Sequence, residues 1–127
     1  MSNKKMGPWQ AVVEALKHEG VTHVFGLPGN PKHLVNDLMD HSDIAFVLMR
    51  DEKSAVACAY AWGRLTGQPG VVFSNPGPGI TNLVTGLLEA TCGSVPMVAV
   101  VGALSGAVAG GVLLGRERDA GLLARFW

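Results

Sequence analysis

Three short stretches combine residue types that could do chemistry. They are Gly26-Leu27-Pro28-Gly29-Asn30, Arg50-Asp51-Glu52, and Asn75-Pro76-Gly77-Pro78-Gly79-Ile80-Thr81-Asn82. Glycine-rich turns let backbone come close to a planar ring or a phosphate, and a carboxyl set among them can hold or exchange a proton. Glu52 is that carboxyl, although a first-turn glutamate also suits the positive end of its own helix. Gly77 and Gly79 keep the G-x-G spacing of a dinucleotide fingerprint, but Asn82 stands where its third glycine belongs and no acidic residue follows near position 100. A nicotinamide cofactor is thereby excluded, and no P-loop pattern occurs. His33 follows the Pro28-Gly29 turn, where it reads as a solvent-facing helix histidine or as a proton relay. Cys58 and Cys92 have no metal-ligand spacing and read as small buried hydrophobes of a reducing compartment.

The elements that must position these stretches follow from periodicity. Pro8 opens a helix with Val12, Val13 and Leu16 on one face, and Gly20 ends it. Val21–Phe25 is a short strand. A second helix follows, capped by Asn30, with Pro31 in its first turn and Leu34, Val35, Leu38 and Met39 as its apolar face. Ile44–Met49 is an uninterrupted apolar run that predicts a strand covered on both sides. The third helix follows Glu52, is rich in alanine at Ala55, Ala57, Ala59 and Ala61, and stops at Gly67 and Pro69. Val71–Ser74 is a strand, Asn75–Gly79 a turn, Thr81–Thr91 a fourth helix and Met97–Val101 a fourth strand. Strands alternating with helices imply an α/β fold: a three-layer parallel sheet with helices on both faces and right-handed crossovers. Each of the three stretches then follows a strand and precedes a helix, so all converge at the C-terminal edge of the sheet, where such folds bind ligands.

The 127 residues make one domain, 1–127, and 48% hydrophobic against 16% charged residues can bury a core. Ten basic and ten acidic residues give zero formal charge, which offers no footprint for nucleic acid or an anionic membrane. No apolar segment of signal-peptide type follows the polar N-terminus, so the cytoplasm is the expected compartment. Val95–Leu114 is long enough to cross a bilayer and carries Gly102, Gly106 and Gly110 in GxxxG spacing. Pro96, the β-branched cluster Val98, Val100 and Val101, and five glycines from Gly102 to Gly115 favour a buried strand instead, with no membrane span. Between Leu65 and Gly115 only Glu89 is charged, which reads as buried strands plus a surface for a protein partner. After Gly102 the pattern fades, and Arg116–Trp127 is again compatible with a helix.

The ordered set VFGLPGN, RDEKSAVACAYAWGRLTGQPGV, NPGPGITNLVTGLLEA and VPMVAVVG resembles the pyrimidine-binding (PYR) domain of thiamine diphosphate (TPP) enzymes such as acetolactate synthase and benzoylformate decarboxylase. The resemblance runs from about Pro8 to Gly102. It implies that Glu52 is the glutamate that hydrogen-bonds the aminopyrimidine ring nitrogen, favouring the imino tautomer that can remove the thiazolium C2 proton. It further implies that Pro28, Gly29, Asn75, Pro76, Gly79 and Asn82 line the pyrimidine pocket. Asn75 stands where benzoylformate decarboxylase-like enzymes carry histidine, Pro76 replaces a small hydroxyl residue, and Ala103 falls where the synthases place glutamine.

Family members hold the diphosphate and Mg²⁺ on a separate PP domain through a Gly-Asp-Gly motif, which this sequence does not contain. The resemblance therefore implies half of a cofactor site, no metal ligands in this chain, and a PP-domain-bearing subunit or full-length relative as partner in a homo- or hetero-oligomer. Relative to the family module, the last strand and helix are expected to be missing, as in a truncated product, a small subunit or a remnant. The implied reaction is decarboxylation of a 2-oxo acid, with protonation or carboligation to follow. The alternative is a non-catalytic interaction module that associates with a full-length relative.

Overall fold

The computed structural model describes residues 7–29, 32–40 and 43–101, apart from the side chains of 32 and 33. Eight elements alternate: α1 (Pro8–His18), β1 (His23–Gly26), α2 (Lys32–Asp40), β2 (Ala45–Leu48), α3 (Glu52–Thr66), β3 (Gly70–Ser74), α4 (Pro78–Cys92) and β4 (Met97–Val101). The strands form one parallel sheet in the order β2-β1-β3-β4. Strand alternation divides the core into two layers. Val24, Val71, Phe73, Val98 and Val100 pack on one face with Val13 and Leu16 of α1 and Leu34, Val35 and Leu38 of α2. Phe25, Val72, Met97 and Ala99 pack on the other with Ala55, Val56 and Ala59 of α3 and Leu83 and Ala90 of α4. The expected parallel sheet with helices on both faces is therefore present.

The strand order sets the location of the site. From β1 the chain crosses to β2 on one side, then returns past β1 to β3, so the direction of winding reverses between β1 and β3. Ligand crevices of open parallel sheets form at such a switch point, beyond the C-terminal strand ends. Gly26 makes the close pairing of these two strands possible: a Cβ on it would lie 2.7 Å from the Phe73 carbonyl oxygen.

Four expectations need correction. The run Ile44–Met49 is not covered on both sides: β2 is the outermost strand, Ile44 is buried, but Leu48 is 62% exposed. Apolar content alone does not distinguish an edge strand from a central one. The fourth helix begins at Pro78, three residues earlier than expected, because Pro78 takes a first-turn position where its missing N–H costs no hydrogen bond. Met39 lies outside the buried face of α2 and is 71% exposed, since the core contacts of that helix end at Leu38. Cys58 is half-buried, whereas Cys92, in the last turn of α4, is exposed; both are free thiols.

The apolar run from Val95 begins as expected with a strand, β4, buried from Met97 to Val100. Among the described residues no helix is long and apolar enough to cross a membrane. The expected cap by Asn30 and Pro31, Ala103, and the helix-compatible stretch 116–127 lie outside the described residues, as does the side chain of His33 on α2.

Candidate functional site

Glu52 is the first residue of α3, and its position depends on its neighbour. Asp51 is the N-cap in extended conformation, accepting from the Ser54 backbone N–H at 2.8 Å and from the Ser54 hydroxyl at 2.7 Å. These hydrogen bonds, the hydroxyl first, hold the Asp51 carboxyl below its ordinary value. The cap fixes where α3 starts, and so aims Glu52 from beyond β2 toward the switch point.

The opposite wall comes from β3 and α4. After Ser74 the chain turns through Asn75, Pro76 and Gly77, whose φ of +79° belongs to the left-handed region that glycine tolerates best. Pro78 then starts α4, bringing Gly79 into its first turn and Asn82 one turn on. Asn82 Nδ2 donates to Glu52 Oε2 at 3.1 Å, joining the start of α3 to the start of α4. A Cβ on Gly79 would lie 2.9 Å from Glu52 Oε1 and 2.5 Å from Ser74 Oγ. Only a residue without a side chain leaves room for the carboxyl there.

The β1 turn closes the third side. Gly29 packs on the Asn75 carboxamide so closely that a Cβ there would lie 2.7 Å from Asn75 Cγ. Pro28 is exposed at the rim, and Pro76 is half-buried between β3 and α4. The three stretches singled out in the sequence thus meet at one edge: Glu52, Gly79 and Asn82 in direct contact, Gly29 against Asn75 beside them, and the two prolines around the opening. Among the described residues the Glu52 carboxyl accepts through Oε2, from Asn82, and not through Oε1.

The sequence reading passed over two residues. Asp51 was legible, since Asp-x-x-Ser at a helix start is a capping pattern. Ser74 was not, because a serine closing an apolar strand carries no spacing signal.

A carboxyl held at the switch point of a parallel sheet, between two glycine turns, places the candidate site of this α/β domain beyond the C-terminal ends of β1 and β3. Residues 9–118 match the family described as thiamine pyrophosphate enzyme, N-terminal TPP binding domain, and the chain belongs to that family. It is 45% identical over 93 residues to the acetolactate synthase of Bacillus subtilis (strain 168), covering 73% of this chain and 16% of that protein. Against the acetolactate synthase isozyme 2 large subunit of Escherichia coli (strain K12) the identity is 42% over 96 residues, covering 76% and 18%. Against the chloroplastic acetolactate synthase 2 of Nicotiana tabacum it is 46% over 92 residues, covering 72% and 14%. The chain thus spans less than a fifth of the length of these relatives. The solved structure of a thiamin diphosphate-dependent enzyme from Mycobacterium smegmatis is similar with a TM-score of 0.66 and 28% identity, over 74% of this chain and 18% of that one.

The donor set suits an aminopyrimidine in kind, with the Glu52 carboxyl and the Asn75 and Asn82 carboxamides near two glycines, Gly29 and Gly79, whose close packing on Asn75 and on Ser74 and Glu52 leaves no room for a Cβ. Among the described residues no three His, Cys, Asp or Glu side chains come together as a metal site.

Proposed function

We propose that the chain is the pyrimidine-binding domain of a thiamine diphosphate-dependent 2-oxo acid decarboxylase or acetolactate synthase-like carboligase, with Glu52 as the group that activates the aminopyrimidine. The observation that carries this reading is the Glu52 carboxyl, tied to Asn82 through one oxygen and lodged beside Gly79 through the other. When bound, thiamine diphosphate supplies the electron sink that accepts the charge left as a 2-oxo acid loses CO₂. This chain's residues supply orientation and a proton. Asn82 restrains the carboxyl through Oε2, and Oε1 would be the oxygen that holds or exchanges a proton with the pyrimidine ring nitrogen. Gly29 and Gly79 would let backbone approach the ring, Asn75 would offer its carboxamide from beside Gly29, and Pro28 and Pro76 would stiffen the rim.

Turnover on this reading needs the diphosphate and Mg²⁺ to be held by a PP domain on a partner subunit or full-length relative. The small share of each relative that this chain spans accords with that need. The compartment is read as cytoplasmic and the assembly as a homo- or hetero-oligomer. A second reading, a module that binds a full-length relative without turnover, is favoured by an apolar stripe on α4 in which Ile80, Val84 and Leu88 are exposed at four-residue spacing.

Exchange of the thiazolium C2 proton with deuterium, followed by NMR in a complex reconstituted with a PP-domain-bearing partner, separates the two readings. Glu52→Gln should slow exchange by about 10² to 10⁴-fold, the range of a positioned acid or base. Equal exchange in variant and wild type would remove Glu52 from this role and leave the non-catalytic module.

A further inference from the structure

Ser74 is the one buried polar side chain among the described residues, with 0% exposure, and nothing in the Glu52 reading uses it. It closes β3 at the switch point, after Val71, Val72 and Phe73, in a place where alanine would satisfy the packing. A hydroxyl buried there costs free energy unless it is hydrogen-bonded. Its partner is local: Oγ donates to the carbonyl oxygen of Asn75 at 3.0 Å. That contact ties down the peptide between Asn75 and Pro76 where the chain leaves the strand, in a loop whose proline offers no N–H of its own. The side chain of the same Asn75 is the one packed on Gly29. Ser74 Oγ also crowds the space beside Gly79 that Glu52 Oε1 approaches from the other side. One hydroxyl therefore touches the β3 turn and the first turn of α4, beneath the carboxyl.

We propose that Ser74 is the positioning residue of this site: its hydroxyl fixes the Asn75 carbonyl, and through that peptide holds the Asn75 carboxamide on Gly29, so that this polar wall beside the β1 turn is formed before any ligand arrives. The ligand assigned to that wall rests on the pyrimidine reading above; the positioning itself does not. Ser74 is fully buried, so its hydroxyl acts through its neighbours, chiefly the hydrogen-bonded Asn75. With its proton committed to the Asn75 carbonyl, Oγ offers only acceptor lone pairs elsewhere, and it neither competes for Glu52 Oε1 as a donor nor transfers a proton. A wall held in place loses less freedom when the ligand binds, and this is how a residue out of reach raises affinity.

The test uses the full chain, isotopically labelled, as wild type, Ser74→Ala and Ser74→Cys; the cysteine fills the volume while donating weakly. In the absence of ligand, both variants should shift and broaden the Asn75 side-chain amide resonances while leaving those of Asn82, which report the Glu52 contact, in place. Titration with thiamine diphosphate should then show affinity about three- to tenfold weaker in both variants, the value of one lost hydrogen bond. Asn75 amide resonances identical to wild type in Ser74→Cys would overturn the proposal, as would variants that bind as tightly as a wild type that binds. If the wild type itself fails to bind, the pyrimidine reading falls, and the ligand-free Asn75 signal still decides the role of Ser74.

Discussion

Glu52 sits where it does because three other residues are what they are. Asp51 starts α3 in the right place, Asn82 holds one carboxyl oxygen, and Gly79 leaves space for the other. Gly79→Ala should leave the fold intact yet push the carboxyl out of the crevice, since a Cβ at 2.9 Å from Oε1 and 2.5 Å from Ser74 Oγ cannot be absorbed by both. The Asn82 side-chain amide resonances would report it by moving toward their solvent-exposed positions; unmoved resonances would mean that the carboxyl has room to spare. Asp51 makes a pH-dependent prediction. Its folded-state value is lowered from 3.8 by the Ser54 hydroxyl and backbone N–H, so its contribution to stability is fully present above 3.8 and is lost as pH falls through the lower folded-state value. Asp51→Ala should lower Tm by a few degrees at pH 7, and the gap between variant and wild type should close as the solution is taken below pH 3.8. A gap that persists in acid would place the effect in something other than the ionised cap. Glu52 and both glycine turns were legible from the sequence because their residue types are unusual after strands. Ser74 was not, because only the fold shows that its hydroxyl is buried beneath Gly79.

Between α3, α4 and the sheet, close approach replaces bulk. Gly70 packs against the backbone of Ala59, Gly63 leaves only 2.6 Å between its would-be Cβ and the Pro96 carbonyl oxygen, and a Cβ on Gly86 would lie 2.6 Å from Val56 Cγ2. The alanine-rich sequence of α3 thus lets the helix lie low over β1 and β3, which keeps Glu52 at the level of the strand ends. Gly70→Ala should cost about 1 to 3 kcal/mol, as overpacking in a filled interior does. Urea unfolding would measure it, and an unchanged midpoint would show that the sheet can yield at β3. Helices and strands were readable because periodicity separates them, and seven of the eight starts fall within two residues of expectation. The edge position of β2 was not readable, since Ile44 to Met49 is as apolar as a central strand and only strand order exposes Leu48. Likewise, Pro78 read as part of a turn although the same residue type is favoured in the first turn of a helix.

At the scale of the whole molecule, the chain presents more apolar surface than its neutral charge can keep apart. Ile80, Val84 and Leu88 make a stripe along α4, whose one charged residue is Glu89. The isolated chain should self-associate, and Val84→Lys combined with Leu88→Lys should shift sedimentation toward monomer; a wild-type monomer at high concentration would show that the stripe needs no cover. Composition and charge made an exposed apolar stripe legible, because an uncharged segment of that length cannot all be buried. The candidate site was legible for a different reason: residue types far apart in sequence meet only if the strands are parallel and wound as they are. The central claim is that the Glu52 crevice takes the aminopyrimidine of thiamine diphosphate, and the most direct measurement is an NMR titration of the labelled chain with that cofactor, with and without Mg²⁺. A few neutral hydrogen bonds, offset by the ordering of the ligand, predict a Kd of about 0.1 mM or weaker. Shifts should centre on Gly29, Glu52, Asn75, Gly79 and Asn82, should be indifferent to Mg²⁺ and should be strongly reduced in Glu52→Gln. Shifts centred elsewhere, none at about 10 mM cofactor, or micromolar binding that requires Mg²⁺ would contradict the account.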